Sequence, residues 1–220
     1  MFDPLRFKVC SLYRLPKPVA YIKETPGDGI VKCIVFPTNL ETRVLLQKYI
    51  DDIAFTYHVV HLPSLVENID SLYAQIDSET VQPGRAMLLL AIIASVTSQW
   101  TAEDAASKGL FDCPNSAGQQ TASWIKASLD VLGHSRRSST LCVDHVQALV
   151  IVSCVICHLE GFSSKFRSML STAVDVARQL GLHMVDHRVG QAMTAAQAKL
   201  GTVESEIRRR VWWFLTSTEW

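Results

Sequence analysis

Two stretches of this chain are apolar on every side when they are wound as helices, and they constrain the fold more than any other feature. Met87–Val96 and Ala148–Cys157 contain no charged residue. A helix of this kind has no polar face to turn towards water, so other elements must surround it. Both runs are shorter than the roughly 20 residues that a membrane-spanning helix needs. We therefore expect two central helices in a soluble protein.

The segments around these runs have helical apolar spacing, and several have recognisable start signals. Thr38 followed by Glu41 predicts a capping box, in which hydroxyl and carboxylate bind the free amides at a helix start. Ser64 with Glu67, just after Pro63, predicts a second capping box. Both boxes place helix starts in the first third of the chain.

Glycines predict where two of the helices end. Gly133 predicts the end of a helix that begins near Ala117, because glycine adopts the left-handed C-cap conformation readily. Gly181 ends another helix that begins at Ser164, and a last helix is expected from near Thr202 onwards. No alternation of strands and helices follows residue 38, which argues against a parallel α/β sheet. The predicted fold is an all-α, irregular multi-helix array.

Residues 1–37 differ from the rest of the chain. They hold five of the eight prolines and a turn sequence at residues 26–29. Phe7–Tyr13 and Gly29–Phe36 are rich in β-forming residues and are expected to pair across that turn. We predict an extended or weakly β N-terminal arm or linker over residues 1–37, and a helical domain over residues 38–220.

The composition disfavours several classes of function. The chain has 21 basic and 21 acidic side chains, whereas a protein that grips phosphates usually has a basic excess. We expect no direct contact with nucleic acid and no membrane association. The six cysteines fit reduced, buried thiols in an intracellular protein better than disulfides. Cys154 and Cys157 have the Cys-x-x-Cys spacing but lie in an apolar helix, so we predict core residues and no metal site.

Catalytic and metal-binding patterns are weak. His58 and His61, with Asp51 or Asp52 nearby, have no positioned nucleophile beside them. A helical enzyme of the terpene-synthase type would need an Asp-Asp-x-x-Asp run, and Phe55 stands where its last aspartate belongs. We therefore assign no catalytic residue and no cofactor.

A second histidine pair lies near the end of the chain. His183 and His187, with Asp186, are too few and too loosely placed for a zinc site. A polar cap at the end of the preceding helix is the favoured role.

Two motifs in the last third are the most informative. The first ends a helix with Leu180-Gly181-Leu182-His183, and the second is Glu204-Ser205-Glu206-Ile207-Arg208-Arg209-Arg210-Val211-Trp212-Trp213. The glutamates precede arginines by four positions, the orientation that favours ion pairs on a helix surface. The packed side of this helix is predicted to contain Ile207, Val211, Phe214, Leu215 and Thr218. The two tryptophans point about 100° apart, so one can anchor in the core while the other reaches a neighbouring groove.

Together, these motifs resemble the fungal-specific transcription factor domain, the middle homology region of binuclear-zinc-cluster regulators. Tyr57, His61, Pro63 and Ser64 are similar to an early Tyr-His-Pro segment of that family, so the resemblance covers about residues 40–220. Glu219 lies near the position at which that family usually has a further acidic residue. The family's Arg-Asp after the first motif reads Met184-Val185-Asp186 here. The signature residues are Leu180, Gly181, Leu182, His183, Glu204, Glu206, Arg208, Arg209, Arg210, Trp212 and Trp213.

The resemblance implies a function in the control of transcription in a fungal nucleus. It implies a regulatory domain that binds a small metabolite or a co-regulator protein, without catalysis, and a homodimer in a full-length context. The alternatives are a helical protein-interaction module without a transcriptional role and a helical enzyme. The family's zinc cluster and coiled coil are not in these 220 residues. We expect a C-terminally incomplete regulatory domain, either a fragment, a truncated gene or a degenerate paralogue.

Overall fold

A computed structural model of the chain describes residues 5–25, 29–186 and 202–218. The N-terminal segment forms a three-stranded sheet of β1 (Leu5–Val9), β2 (Ala20–Thr25) and β3 (Gly29–Phe36), in the order β1-β3-β2. The strand β1 runs parallel to β3, and β2 runs antiparallel to it. The predicted extended or weakly β arm is therefore confirmed.

The first strand pairs with β3 as predicted, with Phe7 opposite Ile34, but it does so in parallel and not across the turn. It is β2 that pairs with β3 there, whereas β1 lies on the far side of β3. The first strand ends at Val9, and shortly after it Ser11 and Leu12 bind Glu41 instead of a strand. Ser11 Oγ and the Leu12 amide donate to the carboxylate of Glu41, at 2.8 and 3.1 Å. These bonds hold the chain in a 3-10 turn and tie the arm to the first helix.

Helices form the remainder of the described chain, and the all-α class is confirmed. Their bounds are α1 Asn39–Asp52, α2 Ala54–Tyr57, α3 Leu62–Asp77, α4 Pro83–Ser98, α5 Ala102–Lys108, α6 Pro114–Arg137, α7 Val143–Glu160, α8 Ser164–Gln179 and α9 Thr202–Thr218. A 3-10 turn, Leu182–Met184, follows α8. The side chains of Ile34, Val35 and Phe36 join the same hydrophobic core as the helices. The division of the chain at residue 37 stays a prediction.

One of the two predicted capping boxes forms. Thr38 caps α1, with its hydroxyl accepting from the Glu41 amide at 3.3 Å and its own amide donating to Glu41 at 2.9 Å. The box at Ser64 was wrong because α3 begins two residues earlier. His61 is the cap there, and its Nδ1 accepts from the Ser64 amide at 3.4 Å. Pro63 lies in the first turn, where a missing amide hydrogen costs little.

The predicted helix end at Gly133 was also wrong. Helix α6 continues through this glycine to Arg137 because it packs extensively along α4. Val131 and Ser135, on either side of the glycine, are fully buried. Such packing outweighs the modest cost, about 1 kcal/mol, of a glycine inside a helix.

The two all-apolar runs lie at the centre of the array, as predicted. Helices α4 and α7 pack against each other, and their side chains are buried almost throughout. Within the described residues, α7 is long and apolar enough by composition to cross a membrane, and 61% of it is buried inside the fold. Helix α4 meets that test only together with α5, from which it is bent by 114°. Both fit the core helices of a globular array.

Candidate functional site

The last helix, α9, packs one face on α7, α8 and the turn after α8. Val211 and Leu215 are completely buried, and Ile207 and Phe214 are partly buried beside them. This is the packed face that the sequence predicts. The docking brings both signature motifs into one place.

Charged side chains of the second motif pair with each other. Arg208 donates to Glu204 and Arg210 donates to Glu206, each at 2.9 Å, across one helical turn. Both predicted ion pairs are therefore present. Arg209 also donates to Glu206, at 2.5 Å. Each of these five side chains has a partner, so the arginine run is a helix surface whose charges are paired.

The first motif touches the second through its last residues. Gly181 has a φ of 71°, the left-handed conformation that lets the chain leave α8 without strain. Leu182 is buried in the core, and the ring of His183 lies 5.7 Å from that of Trp212. Leu180 is partly buried at the end of α8. Leu182, His183 and Trp212 thus form a packed junction between the two motifs, although the functional role of the signature residues stays a prediction.

The two tryptophans divide as the helical spacing predicts. Trp212 packs partly against the core, whereas Trp213 is 65% exposed. Trp213 lies beside a shallow groove that also includes Tyr57, His58 and Ser217. The predictions that involve His187 and Glu219 fall outside the described residues.

A cleft of about 460 Å³ opens where α2, α7, α8 and α9 meet. Four aromatic rings form part of its wall, in two edge-to-face pairs. Tyr57 and Phe214 have ring centroids 6.0 Å apart, and Phe162 and Phe166 have centroids 5.5 Å apart. The side-chain amide of Gln147, on α7, donates a hydrogen bond of 2.6 Å to the carbonyl of Val59. Val59 lies in the buried turn that follows α2, so this bond helps to hold Tyr57 beside the cleft.

The remaining lining is made of small polar groups and thiols. These residues are Ser153, Cys154, Cys157, His158 and Thr218, together with Leu170. Burial raises the pKa of the Cys154 thiol to about 11. Burial, with Cys154 beside the phenol, also raises the pKa of Tyr57. Both groups are therefore uncharged at neutral pH.

The candidate histidines and cysteines have structural surroundings. His61 caps α3, and His58 ends α2 in a left-handed conformation, with a φ of 50°. Cys154 and Cys157 lie half-buried in α7 and contribute to the cleft wall. Across residues 5–25, 29–186 and 202–218, no three His, Cys, Asp or Glu side chains are grouped in a way that would hold a metal ion.

Sequence reasoning missed the cleft itself. Tyr57 and Phe214 appear in the sequence as ordinary apolar positions, and Phe162 appears as part of a loop. The one available signal was the early Tyr-His-Pro segment, which contains Tyr57. That the segment faces the last helix follows only from the tertiary packing.

The chain was compared with known protein families and proteins. The family description "Fungal specific transcription factor domain" matches residues 46–215. This span includes both signature motifs and most of the cleft wall. The chain belongs to the fungal-specific transcription factor domain family.

Three relatives support the same class. The chain is 34% identical to "Probable transcription factor lepB" of Aspergillus flavus over 88% of its own length and 34% of that protein. It is 24% identical to "Transcription factor TAS2" of Pyricularia oryzae, over 80% of the chain and 22% of that protein. It is 21% identical to "Agnestins biosynthesis cluster transcription factor AgnL11" of Paecilomyces divaricatus, over 84% of the chain and 27% of that protein.

The chain therefore spans about a third or less of the length of these relatives. No solved structure gives a significant match. The comparisons identify a family and a shared region, and the arrangement of the cleft is described only by the structure of this chain.

Proposed function

We propose that this chain is a regulatory domain that controls transcription in a fungal nucleus, through a small molecule or a co-regulator protein bound to its helical array. The observation that carries the proposal is the family match over residues 46–215. All three relatives are named transcription factors. The family and these names point to transcription rather than to catalysis.

The structure supports a regulatory mechanism of a specific kind. Helix α9 forms one wall of the cleft through Phe214 and Thr218, and α7 forms the opposite wall. A molecule in the cleft would contact both helices, so it would favour the docked arrangement of α9 over any looser one. A ligand shifts such an equilibrium by its difference in affinity for the two arrangements.

Balanced charge fits this role. With 21 basic and 21 acidic side chains, the chain has no net charge with which to hold DNA. DNA contact would belong to another region of a full-length regulator. The exposed Trp213, beside the groove with Tyr57, offers a surface for a co-regulator.

A reporter assay tests the proposal. The full 220-residue chain is inserted between a heterologous DNA-binding domain and an activation domain in a fungal host, and reporter output is compared with that of an unrelated helical insert of equal length. We expect the chain to change reporter output, and the variant Leu215→Ala, which loosens α9, to alter that effect. Equal output from the chain, from Leu215→Ala and from the unrelated insert would overturn the proposal.

A further inference from the structure

The volume and the lining of the cleft between α7, α8 and α9 suit a small aromatic molecule. Its volume of about 460 Å³ lies within the range of about 300–1,000 Å³ that is typical of small-molecule sites. The two edge-to-face ring pairs, Tyr57 with Phe214 and Phe162 with Phe166, present ring faces and edges to whatever lies between them. Aromatic rings pack well in this arrangement because the edge of one carries the charge opposite to the face of another.

The lining also determines the charge of the occupant. Among the described residues that line the cleft there is no Asp, Glu, Lys or Arg. The signature arginines and glutamates of α9 form ion pairs with one another, and none of them lines the cleft. An ionised ligand would lose its hydration without gaining a partner, which is costly. The cleft therefore favours an uncharged occupant.

Two hydroxyls of the lining have already used their hydrogens, and the phenol of Tyr57, the thiols of Cys154 and Cys157 and the ring of His158 lie beside them. Ser153 donates its hydroxyl hydrogen to the Val150 carbonyl at 2.7 Å, and Thr218 donates to the Phe214 carbonyl at 2.8 Å. Ser153 is completely buried, whereas the oxygen of the partly exposed Thr218 keeps a lone pair that can accept a hydrogen bond. A ligand with a hydroxyl or amine hydrogen complements such a wall.

We propose that the cleft between α7, α8 and α9 binds an uncharged aromatic molecule that carries a hydrogen-bond donor, of the phenol or arylamine class. This inference deepens the proposed function and rests on it for its regulatory meaning, but the binding site itself can be tested alone.

The test uses two fluorescent probes that differ by one charged group. N-phenyl-1-naphthylamine is an uncharged arylamine, and 8-anilino-1-naphthalenesulfonate is the same skeleton with a sulfonate. Titrated against the 220-residue chain, the uncharged probe is expected to bind at least about tenfold more tightly. In competition, 2-naphthol should displace it better than naphthalene, which lacks the donor.

Variants locate the site. Cys157→Trp fills the cleft and should weaken binding of the uncharged probe by about tenfold or more. Phe162→Ala removes a wall residue that is 78% exposed, so it should weaken binding without unfolding the chain. The matched control is Leu159→Trp, which places the same indole ring at an exposed residue of α7 outside the lining. It should leave binding unchanged, and circular dichroism melts verify that all variants fold.

Two outcomes would overturn the inference: sulfonate binding as tight as that of the uncharged probe, or uncharged-probe binding that is unchanged in Phe162→Ala and in Cys157→Trp. If Cys157→Trp unfolds, Phe162→Ala decides alone. The reporter assay separates this inference from the proposed function. Reporter control without probe binding removes only the ligand assignment, whereas probe binding at the cleft without reporter control removes only the transcriptional role.

Discussion

The carboxylate of Asp186 accepts hydrogen bonds from Nε and Nη2 of Arg209, at 3.0 and 2.8 Å. Asp186 follows the turn after α8, and Arg209 is the central arginine of the α9 signature. In this chain the acidic residue stands one position later than the family's Arg-Asp pattern. The 3-10 turn Leu182–Met184 brings it to the signature helix, so the shifted aspartate makes a contact between the two motifs.

We predict that Asp186→Asn lowers the melting temperature slightly at neutral pH. The hydrogen bond with Arg209 lowers the pKa of Asp186, so the pair stabilises the fold above the carboxyl's ordinary pKa of about 4. This stabilisation is lost as the pH falls through the lower folded value. The melting curve of Asp186→Asn should therefore differ from that of the wild type at neutral pH and coincide with it at strongly acidic pH. Asp175→Asn, at an exposed position on α8, is the control, and a difference that persists in acid would refute the prediction.

Burial predicts opposite outcomes for two nearby residues of α9. Leu215 is completely buried, so Leu215→Ala should lower the free energy of unfolding by about 2–5 kcal/mol through lost packing and a cavity. Trp213 is 65% exposed, so Trp213→Ala should change the free energy of unfolding by no more than about 0.5 kcal/mol. Urea unfolding followed by circular dichroism measures both. A large loss in Trp213→Ala would show that its ring packs on the protein in solution.

Local sequence signals predicted the parts of the structure that local chemistry determines. The box of Thr38 and Glu41 and the ion pairs from Glu204 and Glu206 depend on residues three or four positions apart, and each forms. Gly133 shows where such signals fail. Its conformational preference is modest, and the burial of α6 against distant helices decides the outcome.

The candidate cleft was beyond sequence reasoning for the same physical reason. Its walls come from Tyr57, Phe162 and Phe214, which belong to separate parts of the chain. Each residue alone has the pattern of an ordinary packed side chain. Only the docking of α9 against α7 and α8 leaves space between the rings, and no short spacing encodes such a space.

The ion pair of Lys48 with Asp104 joins α1 to α5, with nitrogen and oxygen 2.7 Å apart and side chains only 4% and 6% exposed. Burial opposes ionisation of Asp104, but hydrogen bonds from Lys108, Lys48 and Thr101 outweigh it and hold its pKa below the ordinary value. We predict that Lys48→Met lowers the free energy of unfolding by about 3 kcal/mol, since it leaves a buried carboxylate with fewer partners.

A matched control exists at Lys126, which pairs with Asp130 at 3.2 Å and is 62% exposed. Lys126→Met should cost about 0.5 kcal/mol or less because water already solvates the ammonium. Adding Asp104→Asn to Lys48→Met should recover part of the loss. Urea unfolding at neutral pH compares all three variants, and equal losses for the two lysine variants would contradict the burial argument.

His145 is completely buried near the start of α7. Its burial predicts a second way in which the stability of the fold depends on pH. Its Nδ1 accepts from the Cys142 amide at 3.1 Å, so Nε2 carries the hydrogen and donates to Ser135, at 2.8 Å. Burial lowers the pKa of His145 to about 4. A proton on Nδ1 would face an amide that also donates, which explains why the neutral ring is favoured.

Because the folded pKa lies below the unfolded value of about 6.5, the unfolded chain binds the extra proton first as the solution is acidified. The fold should therefore lose about 2 kcal/mol through this residue between about pH 7 and pH 5. His145→Gln should be less stable at neutral pH but lack this dependence, whereas His158→Gln, at an exposed position of the same helix, should keep it. Urea unfolding at the two pH values measures each difference. An unchanged pH dependence in His145→Gln would show that the imidazole is not held neutral by its surroundings.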